Sequence, residues 1–131
     1  MKKLERIMLI DDDQITNTYN EFILRKLKIA DHFIVFQDAN KAIKYFESDH
    51  EQIDLILLDL NMPLMDGWEF VEEFEKIQLS YEAIIVVVLT SSADIDDRER
   101  VKQFKSIKKF INKPLDMESA KQLIALFSNT E

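Results

Sequence analysis

Short, fully apolar segments alternate along this chain with segments in which apolar residues recur every three or four positions. The apolar runs lie at Ile7–Ile10, Phe33–Phe36, 54–58, 84–89 and near 108–111. Runs of this length predict strands buried on both faces, as in a parallel sheet. The segments between them have the spacing that predicts amphipathic helices.

The helical spacing is clearest after the first two apolar runs. The apolar positions are Ile15, Tyr19, Phe22, Ile23 and Leu27 after the first run, and Ala39, Ala42, Ile43 and Phe46 after the second. Further helices are predicted from about Trp68 through Val71 and Phe74, near 93–104, and around Leu123, Ile124 and Phe127. The helix near 93–104 has sparse apolar positions, so we expect it to be short or shallowly buried. Five strands alternating with five helices predict right-handed crossovers and a parallel sheet with helices on both faces.

Composition limits the class of protein. With 131 residues and 47% hydrophobic content, the chain is long enough for one filled core, and we expect a single domain. It has no cysteine, which excludes disulfides, a thiol nucleophile and cysteine-ligated metals and agrees with a cytoplasmic location. A net charge of −8 argues against duplex nucleic acid as the main partner. The longest apolar run, 83–89, is too short to span a membrane.

Acidic residues follow two of the predicted strands. Asp11, Asp12 and Asp13 come directly after the first strand, and Asp59 ends the third. Because ligands of parallel sheets bind beyond the carboxyl ends of the strands, we expect these carboxylates at the functional edge. Carboxylates packed closely together repel one another unless a cation joins them or one is protonated. Hard oxygen ligands of this kind suit Mg2+.

Hydroxyl and amino groups are predicted at the same edge. The fourth strand is followed by Thr90, Ser91 and Ser92, and the fifth by Lys113 and Pro114. Phosphoryl transfer to a carboxylate needs a nucleophilic aspartate, a magnesium ion and donors for the remaining phosphoryl oxygens. The edge therefore has the residue types that this chemistry requires.

These four motifs, in this order and each at a strand end, resemble the receiver domain of two-component response regulators, closest in layout to the single-domain chemotaxis type. The resemblance covers essentially the whole chain. It implies a flavodoxin-like (βα)5 fold with strand order 2-1-3-4-5. It also implies residue roles: Asp59 as phosphoacceptor; Asp12, Asp59 and the Asn61 carbonyl as magnesium ligands; Asp11 as a ligand through water; Thr90, Ser91 and Lys113 as contacts of the phosphoryl group; and Thr90 and Phe110 as switch positions.

The resemblance further implies a function. The phosphoryl donor would be the phosphohistidine of a sensor histidine kinase or a histidine phosphotransfer protein, and the product a signal, so the protein would not be a conventional enzyme. We expect residues 1–131 to be one receiver domain without an output domain, acting on a downstream protein. Segment 98–113 has seven basic residues and one acidic residue, a net +6 that leaves −14 elsewhere. This basic face is the expected output surface, although a lysine-rich surface also serves solubility alone.

Some positions depart from the family pattern. Ser106 and Ile107 stand where relatives often have Gly-Ala, which predicts a different turn before the fifth strand. Phe110 lacks the hydroxyl group of a tyrosine, and Trp68 replaces a more usual aliphatic residue. The Lys113-Pro114 peptide bond is expected to be cis, as it commonly is in the family.

Simpler interpretations exist for each residue. Asp59 suits a strand-terminal turn, Asp13 is our choice for a helix N-cap, and Lys113 suits a solvated surface. Thr90 and Ser91 suit a turn, and Phe110 suits the core. A haloacid-dehalogenase-like hydrolase would need an acid where Asn61 stands. A calcium loop from Asp59 would need other residues at 63 and 64. A pseudo-receiver that binds partners without phosphorylation is the remaining alternative.

Overall fold

The computed structural model describes residues 3–89 and 95–128. The strands are β1 Leu4–Ile10, β2 Ala30–Phe36, β3 Leu55–Asp59, β4 Ile84–Leu89 and β5 Ile107–Asn112. The helices are α1 Gln14–Lys26, α2 Ala39–Glu47, α3 Gly67–Glu75, α4 Ile95–Val101 and α5 Met117–Ser128. All strand pairs are parallel, in the order β2-β1-β3-β4-β5. The predicted fold and strand order are confirmed.

Each face of the sheet has its own hydrophobic core. Successive side chains of β1 alternate between the two faces, so Ile7 and Leu9 join one core while Met8 and Ile10 join the other. The core with Ile7 and Leu9 is covered by α1 and α5, and the core with Met8 and Ile10 is covered by α2, α3 and α4. This arrangement explains why the strands are apolar at consecutive positions.

The orientation of α1 differs from what its apolar spacing suggests. The helix forms where predicted and begins after Asp13, whose side chain accepts a hydrogen bond from the Ile15 N–H as the expected N-cap. It buries Asn17, Asn20, Ile23 and Leu24. Ile15, Tyr19 and Phe22 instead face outward and are 79%, 41% and 59% exposed. We call these three residues the apolar α1 face.

A bulge lies near the start of β5, while the predicted difference in the turn before this strand stays a prediction. The pairing of β4 with β5 shifts by one residue between Ile85 and Val86, which leaves Lys108 without a direct partner. Ser106 is held at this turn because its backbone N–H and its hydroxyl group both donate to the carboxylate of Glu75. The bulge therefore coincides with a contact from α3.

α4 ends at Val101, which is buried, and spans less than the predicted segment 93–104. None of the helices in the described ranges combines the length and the hydropathy that crossing a bilayer requires.

Candidate functional site

Three carboxylates meet at the carboxyl end of the sheet. β1 and β3 are neighbours, with Ile10 paired to Leu58, so the residues that follow each pair lie side by side. One oxygen atom from each of Asp11, Asp12 and Asp59 lies within 4.8 Å of the others. Asp11 and Asp59 are buried, and Asp12 is exposed. The topology thus brings together the acids that the sequence placed at two separate strand ends.

Lys113 reaches this cluster from the end of β5. Its Nζ lies 3.1 Å from Asp11 Oδ2 and 3.4 Å from Asp59 Oδ1. The Lys113-Pro114 peptide bond is cis, as predicted. Lys113 is therefore a half-buried partner of two carboxylates, and the interpretation of Lys113 as a solvated surface lysine is wrong.

The charges in this cluster perturb one another. Burial raises the pKa of Asp59, the nearby Asp11 carboxylate raises it further, and Lys113 and the Asn61 N–H oppose that rise. Burial also works against the charge of Lys113, but Asp59 and Asp11 outweigh it, so the pKa of Lys113 is raised. The ammonium group of Lys113 therefore stays charged. The ionised form of Asp59 is disfavoured unless a further cation binds beside it.

The donor set fits a divalent cation. Among the described residues, three carboxylates face one ammonium group, which leaves excess negative charge when all are ionised. Asp11 Oδ1 accepts the Asp13 N–H at 2.9 Å, and its Oδ2 contacts Lys113. With both oxygens engaged, Asp11 is better placed to hold a cation through water, whereas exposed Asp12 is free to turn toward it. Magnesium commonly keeps several waters in such sites.

The loop after β3 is fixed by its backbone. The Asn61 N–H approaches Asp59 Oδ1 at 3.4 Å, and the Gly67 N–H donates to the Leu60 carbonyl at 3.0 Å. A Cβ atom at Gly67 would lie 2.7 Å from the Leu60 Cα and 2.8 Å from the Asp59 carbonyl oxygen. Only glycine lets α3 begin this close to the end of β3. Asp66 and Glu69 then form a reciprocal capping box.

The remaining predicted positions are only partly described. Thr90 and Ser91 lie outside the described residues, so their roles stay predictions. Asn61 lies in the loop beside Asp59, and the use of its carbonyl as a metal ligand also stays a prediction. Phe110 is half-buried against the core that α2, α3 and α4 cover. The Arg98 guanidinium lies 5.3 Å from its ring centre. Its switch role is likewise untested.

One residue at this edge had no signal in the sequence. Asn17 is 2% exposed, and its side-chain NH2 donates to the Asp11 carbonyl at 2.8 Å. Asn17 is polar and does not belong to the apolar helical spacing of Ile15, Tyr19 and Phe22. The sequence alone would therefore place it on the surface. Only the rotation of α1 shows that it faces the acidic turn.

Comparison with known proteins agrees with this geometry. Residues 7–125 match the response regulator receiver domain family. The chain is 34% identical over 100 residues to hybrid signal transduction histidine kinase D of Dictyostelium discoideum, covering 73% of this chain and 6% of that protein. It spans only a small part of the first curated relatives that it matches.

Solved structures show the same fold. A two-component response regulator from Cytophaga hutchinsonii superposes with a TM-score of 0.83 at 26% identity, covering 98% of this chain and 99% of that one. The receiver domain of a Pseudomonas aeruginosa sensor histidine kinase, solved with magnesium in its active site cleft, gives 0.77 at 23% identity and covers 94% and 96% of the two chains.

The chain therefore belongs to the response regulator receiver domain family of two-component systems. Proteins of this family are signalling phosphoacceptors that interact with histidine kinases or phosphotransfer donors. The cluster of Asp11, Asp12 and Asp59 fits their magnesium and phosphorylation site.

Proposed function

We propose that this receiver domain takes a phosphoryl group from the phosphohistidine of a kinase or phosphotransfer protein onto Asp59, at a site completed by Mg2+. One observation carries the proposal: a buried carboxylate at a strand end lies beside two further acids and is contacted by Lys113. The location that we propose is cytoplasmic. Action without an attached output domain stays a prediction.

The residues present support attack by Asp59. Within the described part of the chain, the contacts of Lys113 and of the Asn61 N–H with Asp59 are both on Oδ1. This leaves Oδ2 as the oxygen with room for a new bond to phosphorus. Lys113 is placed to offset negative charge on the phosphoryl oxygens as the bond to the donor nitrogen breaks.

Asp12, Asp59 and the Asn61 carbonyl would hold the magnesium ion directly, and Asp11 would hold it through water. When bound, the ion neutralises charge on the acceptor and on the phosphoryl oxygens. A pseudo-receiver is disfavoured because acceptor, acids and lysine are all present and in contact.

The apolar α1 face offers the donor a place to dock. A groove of about 430 Å3 is lined by Ile15 and Tyr19 together with Lys113 and Pro114, so this face continues directly into the acceptor site. Exposed apolar side chains contiguous with a site favour an apolar partner surface. We propose that the donor protein packs an apolar surface here and presents its phosphohistidine to Asp59.

We expect polar substitution of this face to separate protein donors from small ones. In Ile15→Gln/Phe22→Gln, transfer from autophosphorylated histidine-kinase cores should fall about 10-fold or more, the loss expected for an interface hot spot. Phosphorylation by acetyl phosphate, measured by intact mass, should be unchanged because the acceptor site is intact. Val35→Gln, at a position that is 41% exposed on β2, is the matched control and should transfer normally.

Two results would contradict these proposals. Equal losses with kinase cores and with acetyl phosphate would mean that the substitutions damage the site rather than docking. Wild-type protein that accepts from acetyl phosphate but from no kinase core tested would count against a phosphohistidine donor.

The downstream protein target is proposed to bind the basic face within 98–113. The basic residues of this segment do not all share one surface. Lys113 belongs to the acceptor site, and Lys105 and Lys108 line a groove with Glu75 and Glu82 near the amino ends of β4 and β5. The part near the carboxyl ends of the strands is centred on Arg98 and Phe110.

Beryllofluoride with Mg2+, a mimic of the phosphoryl group, should perturb amide NMR signals across 98–113 far more than those of α2. The reason is a shift of a two-state equilibrium at Phe110, which reshapes the surface that carries Arg98. Perturbations restricted to the immediate neighbours of Asp59 would show that this surface is not the output.

A further inference from the structure

Asn17 is a buried polar residue whose side chain has one paired group and one unpaired group. It is buried on α1, and its side-chain NH2 donates to the Asp11 carbonyl, but its Oδ1 is buried and is the one such side-chain atom within the described residues without a hydrogen-bond partner. An unpaired buried acceptor is costly, and the helix keeps this one at the position from which the amide serves the Asp11 carbonyl. Local departures of this kind are expected at functional sites.

The hydrogen bond fixes a particular peptide group. The Asp11 carbonyl belongs to the peptide bond between Asp11 and Asp12, and the Asp11 N–H is held by the Phe36 carbonyl at 3.1 Å. Asp11 is also held through its side chain, by Asp13 and Lys113. Asp12 is exposed, so packing does not orient it. The plane of that peptide bond therefore fixes the position of the Asp12 Cα atom, from which the exposed carboxylate has to reach the ion.

We propose that Asn17 is a positioning residue for the cation site, acting through the Asp11–Asp12 peptide to aim the Asp12 carboxylate at the ion. The inference rests on the proposed function, because it assumes that Asp12 and Asp59 bind Mg2+. Without the amide, Asp12 samples directions in which its oxygens no longer meet those of Asp11 and Asp59 within one coordination sphere.

The test measures metal affinity and folding separately. Asn17→Leu removes the donor and the unpaired oxygen together. Its dissociation constant for Mg2+, from calorimetry, should rise about 10-fold to 100-fold, the usual cost of losing an outer partner of a metal ligand. Its urea midpoint in EDTA reports folding alone and should change little, because the variant loses the unpaired Oδ1 but leaves the Asp11 carbonyl without this donor. Asn17→Ala should weaken Mg2+ binding similarly, which keeps the test valid if leucine does not pack.

Asn20→Leu is the matched control, since Asn20 is also buried on α1 but has no hydrogen bond to the acidic turn within the described residues. It should bind Mg2+ like the wild type. Both Asn17 variants binding Mg2+ as tightly as the wild type would overturn the positioning role, even if their stability changes. A wild-type protein that does not bind Mg2+ would instead overturn the proposed cation site itself.

Discussion

Asp59→Asn should show no phosphoryl mass after incubation with acetyl phosphate and Mg2+, whereas the wild type gains one phosphoryl group. Asparagine keeps the size of the side chain but removes the nucleophilic oxygen that forms the acyl phosphate. Asp38→Asn is the control, because Asp38 is the N-cap of α2 and asparagine caps helices equally well. Phosphorylation that persists in Asp59→Asn would place the acceptor at another residue.

The same variant should be more stable than the wild type in the absence of Mg2+. Because the pKa of Asp59 is raised, mainly by burial and then by Asp11, the folded protein holds a proton on Asp59 at pH values where the unfolded chain has lost it. Stability of the wild type therefore falls as pH rises from the ordinary value of 3.8 through the folded pKa. Asp59→Asn has no carboxyl group to ionise at this position, so its stability does not fall in this way.

Thermal unfolding at neutral pH in EDTA should show this gain as a melting temperature a few degrees higher. Added Mg2+ should narrow the difference, since the ion stabilises the ionised wild-type site. A melting temperature of Asp59→Asn below that of the wild type in EDTA would contradict the conclusion that the ionised form of Asp59 destabilises the folded protein.

Lys113→Ala should separate metal binding from phosphorylation. Loss of the ammonium group removes a charge that repels a cation, so Mg2+ should bind more tightly. Phosphorylation by acetyl phosphate should nevertheless slow by about 10²-fold to 10³-fold, the typical cost of removing one donor to a developing oxyanion. Calorimetry and time-resolved intact mass measure the two quantities on the same sample.

Lys108→Ala, at an exposed position on β5, should change neither quantity. In Lys113→Ala the pKa of Asp59 should rise further, because Lys113 is one of the groups that lower it. The acid limb of the phosphorylation rate should therefore move to higher pH. Phosphorylation of Lys113→Ala at the wild-type rate would show that Lys113 takes no part in the reaction.

The sequence predicted the fold because its signals are local. Apolar runs, helical spacing and the acids at the ends of β1 and β3 each reflect positions close together in the chain. Parallel strands bring these acids to one edge of the sheet, whereas the strand order that makes β1 and β3 neighbours was implied by the resemblance to receiver domains. The N-cap at Asp13 was predictable for the same reason, since a cap depends on only three or four neighbouring residues.

The rotation of α1 was not predictable in this way. Helical spacing identifies an apolar stripe but not whether that stripe faces the sheet or solvent. Here the buried positions include Asn17 and Asn20, while Ile15 and Phe22 face outward. The contact of Lys113 with both Asp11 and Asp59 also depends on side-chain geometry across three strands, which periodicity does not describe.

The exposure of the apolar α1 face has an evolutionary consequence. Ile15 and Phe22 bury little surface within the domain, so exchanging them for other apolar or polar residues leaves the two cores nearly intact. Mutations there can change recognition without first compromising folding. Lineages that duplicate such a domain can therefore diverge in their partners through a few substitutions on one helix that folding tolerates, while the acidic cluster and the strands stay the same.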